Sequence, residues 1–185
     1  MRTLVIDANV FLAFVHEELT GIQTLDRTGS ALRIFEQLGE QAIAFLDEGG
    51  QIEHEWSARA NFAREWFDEW LADGLSGGRL YEVEASRDAH LARRYKSLGF
   101  PNGKDIWYIK TAYGLATLCN RSRPLLIAED VDFYDPTKKR STNKKEIFLS
   151  GNGPVCRQLS DDGIDLKCIY NAIWELCPEA INSPT

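Results

Sequence analysis

The sequence contains few of the residues that build metal sites from sulfur or nitrogen. Its 185 residues include four cysteines and three histidines. No two cysteines form a C-x-x-C pair and no histidines form an H-E-x-x-H pair, which argues against a zinc knuckle and against zinc-dependent hydrolysis. We interpret the cysteines as inert thiols in a reducing compartment. They are Cys119, Cys156, Cys168 and Cys177.

The sequence also lacks long apolar runs and a glycine-rich phosphate loop. No apolar stretch approaches the length that spans a bilayer, and Asp7 interrupts the first apolar run too early for a signal peptide. We therefore expect a cytoplasmic protein with no membrane partner and no nucleotide site of the P-loop type. Repeats, linkers and low-complexity tracts are missing too, so we expect a single domain over residues 1–185.

Basic residues are outnumbered by acidic residues overall but are locally concentrated. The formal net charge is −7, which argues against indiscriminate binding to nucleic acid. One basic cluster nevertheless follows the acidic segment near residue 130. Its members are Lys138, Lys139, Arg140, Lys144 and Lys145. A basic rim beside an acidic site suits a polyanionic substrate, with phosphate contacts outside and a metal inside. The alternative is an ordinary solvated loop.

Aspartates stand where the predicted strands end. The strand at 3–6 runs into Asp7, the strand at 125–128 runs into a segment that contains Asp130, and Asp105 opens a predicted helix. Ligands of open α/β sheets bind outside the carboxyl ends of the strands, so these acids can converge. Clustered carboxylates repel one another unless a cation lies among them. The pattern therefore predicts a divalent-metal site.

Hydrophobic periodicity and turn residues predict the order of the other elements. Strands are expected at 3–6, 42–46, 80–83 and 125–128, with further strand material at 147–149 and an edge strand at 164–170. Helices are expected at 31–38 (capped by Thr28 or Ser30), about 52–71, 86–98 and from Asp105, and a short helix or capped loop at 10–19. This order predicts a three-layer α/β/α sandwich with a mostly parallel central sheet.

Several segments resemble the signature segments of PIN-domain nucleases. V-I-D-A-N-V at 5–10, K-D-I-W-Y-I-K-T-A at 104–112 and L-I-A-E-D-V-D-F at 126–133 are similar to them in order and approximate spacing. L-D-E-G-G-Q-I-E-H-E-W at 46–56 resembles a variant that places the second acid at Glu55. The resemblance covers residues 3–135. It leaves the basic loop and the C-terminal strand and helix extension, 136–185, without a counterpart.

The resemblance implies a Rossmann-like PIN fold and a Mg²⁺- or Mn²⁺-dependent endonuclease, most often an endoribonuclease. Small stand-alone members of the family are often toxins that a partner holds inactive. We therefore expect RNA as substrate and an antitoxin-like protein or a second copy of the chain as partner. The aromatic residues of the helix at 52–71 are candidates for such an interface, although core packing is the alternative.

Phosphodiester hydrolysis needs an activated water and relief of charge on the phosphate, and Mg²⁺ supplies both. Because Mg²⁺ takes a few carboxylates and keeps waters, we assign Asp7 and Asp130 as direct ligands, with Asp105 facing them. Glu55 and Asp132 bind a second ion or hold a metal-bound water. The predicted catalytic residues are Asp7, Glu55, Asp105 and Asp130, and the predicted metal ligands are Asp7, Asp105, Asp130 and Asp132.

The predicted substrate contacts are Asn9, Lys104 and the basic cluster, and Asn9 is alternatively a residue that orients the loop of Asp7. Each acid also has a structural alternative, as a strand end, a helix cap or a surface residue. Glu36, Glu40 and Glu53 are rivals of Glu55, and we assign Asp47 to turn formation.

The sequence departs from the family pattern just before Asp130. The family usually has a Ser or Thr there, whereas this chain has Ala128 and Glu129. Glu129 either tightens metal binding or points away.

Two other classes of function compete with a nuclease. The first is a non-catalytic module that keeps the fold to bind RNA or protein. The second is a phosphatase or receiver domain, which also places acids at strand ends. Asp7 is followed by Ala8 and Asn9, so the first strand lacks both the adjacent acids of receivers and the D-x-D of haloacid-type phosphatases.

Overall fold

The central sheet is entirely parallel in the part of the chain that this computed structural model describes, residues 1–101, 103, 105–118 and 123–177. Its strands are β1 (Arg2–Ile6), β2 (Ala42–Asp47), β3 (Leu80–Val83), β4 (Leu125–Ile127) and β5 (Asp165–Lys167). They are arranged in the order β3-β2-β1-β4-β5, and each neighbouring pair is parallel. The predicted α/β architecture with a mostly parallel sheet is confirmed.

Helices connect the strands. They are α1 (Ala8–Thr20), α2 (Leu32–Phe35), α3 (Gln51–Arg59), α4 (Arg64–Ser76), α5 (Ala89–Ser97), α6 (Ile106–Leu118), α7 (Lys144–Ser150), α8 (Pro154–Asp161) and α9 (Ile169–Leu176). The chain moves one way along the sheet from β1 to β3 and then returns across β1 to β4 and β5. Because such crossovers are right-handed, the reversal puts the two groups of connecting helices on opposite faces. None of the helices described is long and apolar enough to cross a bilayer.

An aromatic core fixes α1 and α3 beside the end of β1. The rings of Phe11 and Trp56 stack with their centroids 4.3 Å apart, and Phe67 meets Phe11 edge-on at 5.7 Å. Trp56 is fully buried, and its indole N–H donates a hydrogen bond to the carbonyl of Ile6 at 3.2 Å. The large apolar area and the satisfied N–H make this tryptophan a rigid support for the residue that follows β1.

Two predicted helices are wrong in extent. The helix predicted at 52–71 is two helices, α3 and α4, separated by a 3-10 turn at Asn61–Ala63. This break lets Trp56 and Phe67, one from each helix, reach the same ring of Phe11. The helix predicted at 31–38 spans only α2. Its first N–H groups bond to the buried Glu17, which takes the place of the predicted caps Thr28 and Ser30.

The two late strand predictions also need correction. Residues 147–149, predicted as a strand, lie in α7, where Ile147 and Phe148 are buried and Leu149 is exposed. A short apolar run does not distinguish a strand from a buried helical turn. At 164–170 only Asp165–Lys167 is a strand, because α9 begins at Ile169. This strand lies at the sheet edge, as predicted.

Candidate active site

Two aspartates meet at the carboxyl edge of the sheet because β1 and β4 are parallel neighbours. Asp7 is 1% exposed and caps the N-terminus of α1, where its side chain accepts a hydrogen bond from the backbone N–H of Asn9 at 3.3 Å. The side-chain amide of Asn9 donates to Asp130 Oδ2 at 3.4 Å. Asn9 therefore links the two acids that the sequence predicts as direct metal ligands.

Asp132 is held beside Asp130 by the turn that follows β4. The Asp130 carboxylate accepts a hydrogen bond from the backbone N–H of Asp132 at 3.0 Å. The Asp132 side chain is buried, and its Oδ2 lies 2.6 Å from the ammonium of Lys139. Among the described residues, its other oxygen is buried without a hydrogen-bond partner. That oxygen is the kind of donor that a cation or an ordered water would satisfy.

Two helices bring the other acids to the same edge. Glu55 lies on α3, is 9% exposed and accepts a hydrogen bond from the hydroxyl of Tyr108 at 3.1 Å. Tyr108 lies in the first turn of α6, and Asp105 directly precedes that helix. The backbone N–H of Tyr108 donates to the Asp105 carbonyl at 3.2 Å. Tyr108 is therefore bonded to the Glu55 carboxylate through its side chain and to Asp105 through the backbone alone.

The five acids influence one another electrostatically. We refer to Asp7, Glu55, Asp105, Asp130 and Asp132 as the acidic cluster. Burial raises the pKa of Asp7 well above its usual value, and Asp130, Asp105 and Glu55 raise it further. Burial and the charges of Glu55, Asp130 and Asp132 raise the pKa of Asp105 to about 6, against a smaller opposing effect of Arg59. These effects connect all five acids electrostatically.

The cluster has the oxygen donors that Mg²⁺ and Mn²⁺ prefer. Its geometry is open, however: in the described ranges no three Asp, Glu, His or Cys side chains converge closely enough to hold a metal ion. Mg²⁺ usually keeps several waters and takes only one or two protein carboxylates, so a closed cage is not required. The residues fit a hydrated divalent ion held at the edge of the sheet.

Two further acids considered in the sequence analysis, Glu129 and Asp47, have structural roles. Glu129 is buried, and its carboxylate accepts hydrogen bonds from the hydroxyl of Thr28 and from the backbone N–H groups of Thr28 and Ile169. It ties the loop before α2 to the start of α9. Asp47 accepts from the first N–H groups of α3, at 3.0 and 2.7 Å, as its predicted turn role requires. The rivals Glu36 and Glu40 are exposed, and Glu53 is half-buried.

The basic cluster divides into two parts. Lys139, Lys144 and Lys145 line a cleft of about 910 Å³ together with Asn9 and Asp130, and we call it the basic cleft. The other two predicted contacts lie differently in the structure. Lys138 pairs with Asp135 at 3.6 Å, and Arg140 is exposed on the loop surface. Lys104 lies outside the described residues.

Sequence reasoning missed three residues that shape the site. Tyr108 lies in the same sequence segment as Asp105. Its bond to Glu55 joins residues 53 positions apart, so the local sequence gives no sign of it. Arg59 lies one turn beyond Glu55 on α3 and lowers the pKa of Asp105. Arg27 lines the basic cleft from a loop whose sequence carries no periodic pattern. The helical spacing of Glu55 and Arg59 is the one signal that could have found a residue of this set.

Comparisons with known proteins reveal limited similarity. No protein-family model matches the chain, and no curated protein matches it. One solved structure to which the chain shows some similarity is VapBC2 from Rickettsia felis, bound to a DNA fragment from its promoter. The similarity covers 90% of this chain and 98% of that chain, with 14% sequence identity and a TM-score of 0.45. Values this low assign neither a family nor a function to this chain.

Proposed function

We propose that this protein is a metal-dependent endonuclease that hydrolyses phosphodiester bonds, with RNA as its substrate. The observation that supports this most strongly is the acidic cluster itself. Asp7 is almost completely buried, and three other acids oppose its ionisation. Such an arrangement costs stability unless a cation joins it, so it is more readily explained by metal binding than by folding.

The proposed roles follow from position. Asp7 and Asp130, linked through Asn9, would hold Mg²⁺ or Mn²⁺, with Asp105 facing them from the start of α6. The metal, when bound, activates a water and relieves charge on the phosphate. Glu55 is held by the Tyr108 hydroxyl through one oxygen, and its second oxygen would accept a proton from an attacking water. Asp132 would hold a further ion or a metal-bound water.

The choice of RNA, and of a toxin that an antitoxin-like protein restrains, comes from the resemblance to PIN-domain nucleases. Exposed aromatic side chains offer one candidate surface for that partner or for a second copy of the chain. Phe62 is 63% exposed, and Trp66 and Trp70 are only partly buried and stack on each other at 6.0 Å. The ring of Trp70 also lies 5.4 Å from that of Phe11, tilted against it, so core packing uses part of the same surface.

A non-catalytic RNA- or protein-binding module is the second candidate. The observation in its favour is the basic cleft, whose three lysines suit a polyanion whether or not a reaction follows. In that case the basic cleft would bind a polyanion and the acids would have no chemical task.

Cleavage of single-stranded RNA and DNA with Mg²⁺ or Mn²⁺ tests the proposal. Asp7→Asn keeps the shape of the side chain and removes its charge, so cleavage should vanish with this variant and with EDTA. Asp161→Asn makes the same chemical change on an exposed residue and should cleave at the normal rate.

Three other results would contradict the proposal. Cleavage that survives Asp7→Asn would indicate a contaminant. A protein that neither cleaves nor binds Mn²⁺ would instead be the binding module. Turnover of a small aryl phosphate would indicate a phosphatase.

A further inference from the structure

The basic cleft is built from two segments that are far apart in sequence. Arg27 comes from the loop after α1, and Lys139, Lys144 and Lys145 come from the segment that begins after the turn following β4. The two segments are joined directly, because the ammonium of Lys145 donates a hydrogen bond to the carbonyl of Leu25 at 2.6 Å. The cleft is therefore a defined cavity beside the acidic cluster.

The cleft concentrates positive charge on an acidic protein. In its described lining, four basic side chains outnumber the three acids Asp26, Glu129 and Asp130, although the whole chain carries −7. Two of these charges have partners of their own, because Glu129 accepts hydrogen bonds from Thr28 and Ile169 and Lys139 pairs with Asp132. The lining thus favours an anion that can also approach Asp130.

Arg27 is the most constrained of these cations. Its side chain is only 14% exposed, and one terminal nitrogen donates to the carbonyl of Glu129 at 3.4 Å. Within the described part of the chain, its Nε is buried without a hydrogen-bond partner. The carboxylate of Asp26, whose side chain is 76% exposed, lies 3.8 Å from this same Nε, which is too far for a hydrogen bond. A buried donor without a partner is unfavourable, and a ligand that accepts from it relieves that cost.

We propose that Arg27 binds a backbone phosphate of a single nucleic-acid strand lying in the basic cleft, next to the phosphodiester bond whose hydrolysis the acidic cluster would promote. A planar guanidinium fits phosphate with two parallel hydrogen bonds, which a flexible lysine does not reproduce. Its bond to the Glu129 carbonyl fixes it one residue from Asp130. Arg27 would set the register of the strand, and Lys144 and Lys145 would neutralise further phosphates.

The cleft favours backbone recognition of one strand over base reading. Its volume of about 910 Å³ lies within the size of ligand pockets, which suits a few nucleotides of one strand. The aromatic residue in the described lining is Phe148, which is only 3% exposed and offers no face for base stacking. Phosphate contacts position a strand without reading its sequence. This inference rests on the proposed function, because it names the substrate of the same site.

Binding of labelled single-stranded RNA in EDTA, followed by fluorescence anisotropy over a range of salt concentrations, tests the role of Arg27. We expect Arg27→Gln to weaken binding about tenfold or more, since it removes charged hydrogen bonds. The slope of log K against log salt should also shrink by roughly 0.7, the value of one phosphate contact on a single strand. Arg33→Gln makes the same change on an exposed residue of α2 and should alter neither quantity.

Arg27→Lys makes the test independent of folding, because it keeps the charge and the buried stem. It should retain the salt slope of the wild-type protein and lose several-fold in affinity, because the planar fork is lost. Single-stranded DNA of the same sequence should show the same losses, since the phosphate is common to both polymers.

Normal affinity and slope in both Arg27 variants would overturn the inference, and so would a loss confined to RNA. The proposed function fails separately, if the wild-type protein binds RNA through Arg27 but does not cleave it with Mn²⁺.

Discussion

The ammonium of Lys139 lies 2.6 Å from Asp132 Oδ2, and this ion pair connects the basic cluster to the acidic cluster. The lysine side chain is 56% exposed, whereas that of Asp132 is 5% exposed. The hydrogen bond to Asp132 raises the pKa of Lys139, and Asp130 and Asp105 contribute in the same direction. In the metal-free protein one flexible lysine therefore supplies positive charge to three acids.

Removal of that lysine should make the protein depend more on metal. We expect Lys139→Ala to lower the melting temperature in EDTA, because buried Asp132 loses its counter-ion. Mn²⁺ should then raise the melting temperature more than in the wild-type protein, since the metal no longer competes with the lysine. Thermal unfolding with and without Mn²⁺ measures both effects. Lys138→Ala, which removes an exposed partner of Asp135, is the matched control, and equal behaviour of the two variants would refute this role.

Asp7→Asn should separate stability from activity. Burial and three neighbouring acids raise the pKa of Asp7, so loss of its charge should raise the melting temperature of the metal-free protein. The same change should remove most of the stabilisation by Mn²⁺. It should also lower the cleavage rate at least about 100-fold, because mutating a residue that only orients a metal ligand already costs 10–100-fold in metal affinity or activity. Calorimetry and an RNA cleavage assay measure these quantities. A variant less stable than the wild-type protein in EDTA would contradict the proposed electrostatic strain.

The stability of the metal-free protein should fall as pH rises from about 4 to about 6. The pKa of Asp105 is about 6 in the folded protein against an ordinary value of 3.8, and that of Asp7 is also raised. Between those pH values the folded state binds more protons than the unfolded state, so this stabilisation is present at low pH and disappears as pH rises through about 6. Asp105→Asn should flatten the pH dependence of the melting temperature, whereas Asp161→Asn should leave it as in the wild-type protein.

The meeting of Asp7 and Asp130 could be predicted because it depends on short-range signals. Each follows an apolar run, and parallel strands end at one edge of the sheet. Asp105 is similar, since an acid before an apolar helical pattern predicts a helix start. These local patterns determine where a side chain leaves the sheet, and the sheet order then brings the ends together.

The partners of these acids could not be predicted, because they come from distant segments. Glu17 caps α2 from α1, and Glu129 bonds to Thr28 across 101 positions. Lys139 reaches Asp132 through a loop whose composition alone fits an ordinary solvated surface. Periodicity reports which face of an element is buried, but it carries no information about which polar groups meet in the core.

Tyr108→Phe tests whether the tyrosine positions Glu55 for catalysis. The change removes a hydroxyl that donates to Glu55 Oε2 at 3.1 Å and keeps the buried ring. We expect the cleavage rate to fall about 10–100-fold while Mn²⁺ binding changes little, because Glu55 would keep its charge and lose its orientation. Tyr113→Phe changes a partly buried tyrosine elsewhere on α6 and should leave the rate unchanged. Equal rates for both variants would remove Tyr108 from the site.

Glu129 lies next to Asp130 in sequence. The variant Glu129→Gln tests whether Glu129 has a structural role or binds the metal. Its carboxylate satisfies N–H groups of Thr28 and Ile169 at 3.1 and 3.3 Å, and burial raises its pKa against the opposing effect of those bonds. Glu129→Gln places an amide N–H where an acceptor is needed, so urea denaturation should show a loss of about 1–3 kcal/mol in the free energy of unfolding. Glu18→Gln, on an exposed residue, should show none.

The Mn²⁺ affinity of folded Glu129→Gln should equal that of the wild-type protein, since its oxygens face Thr28 and Ile169. A large loss of Mn²⁺ affinity with normal stability would instead place Glu129 among the metal ligands. Adjacent acids at the end of β4 would then have the same role. The hydrogen bonds argue that they have opposite roles, because Glu129 joins the loop before α2 to α9 while Asp130 meets Asn9 at the edge of the sheet.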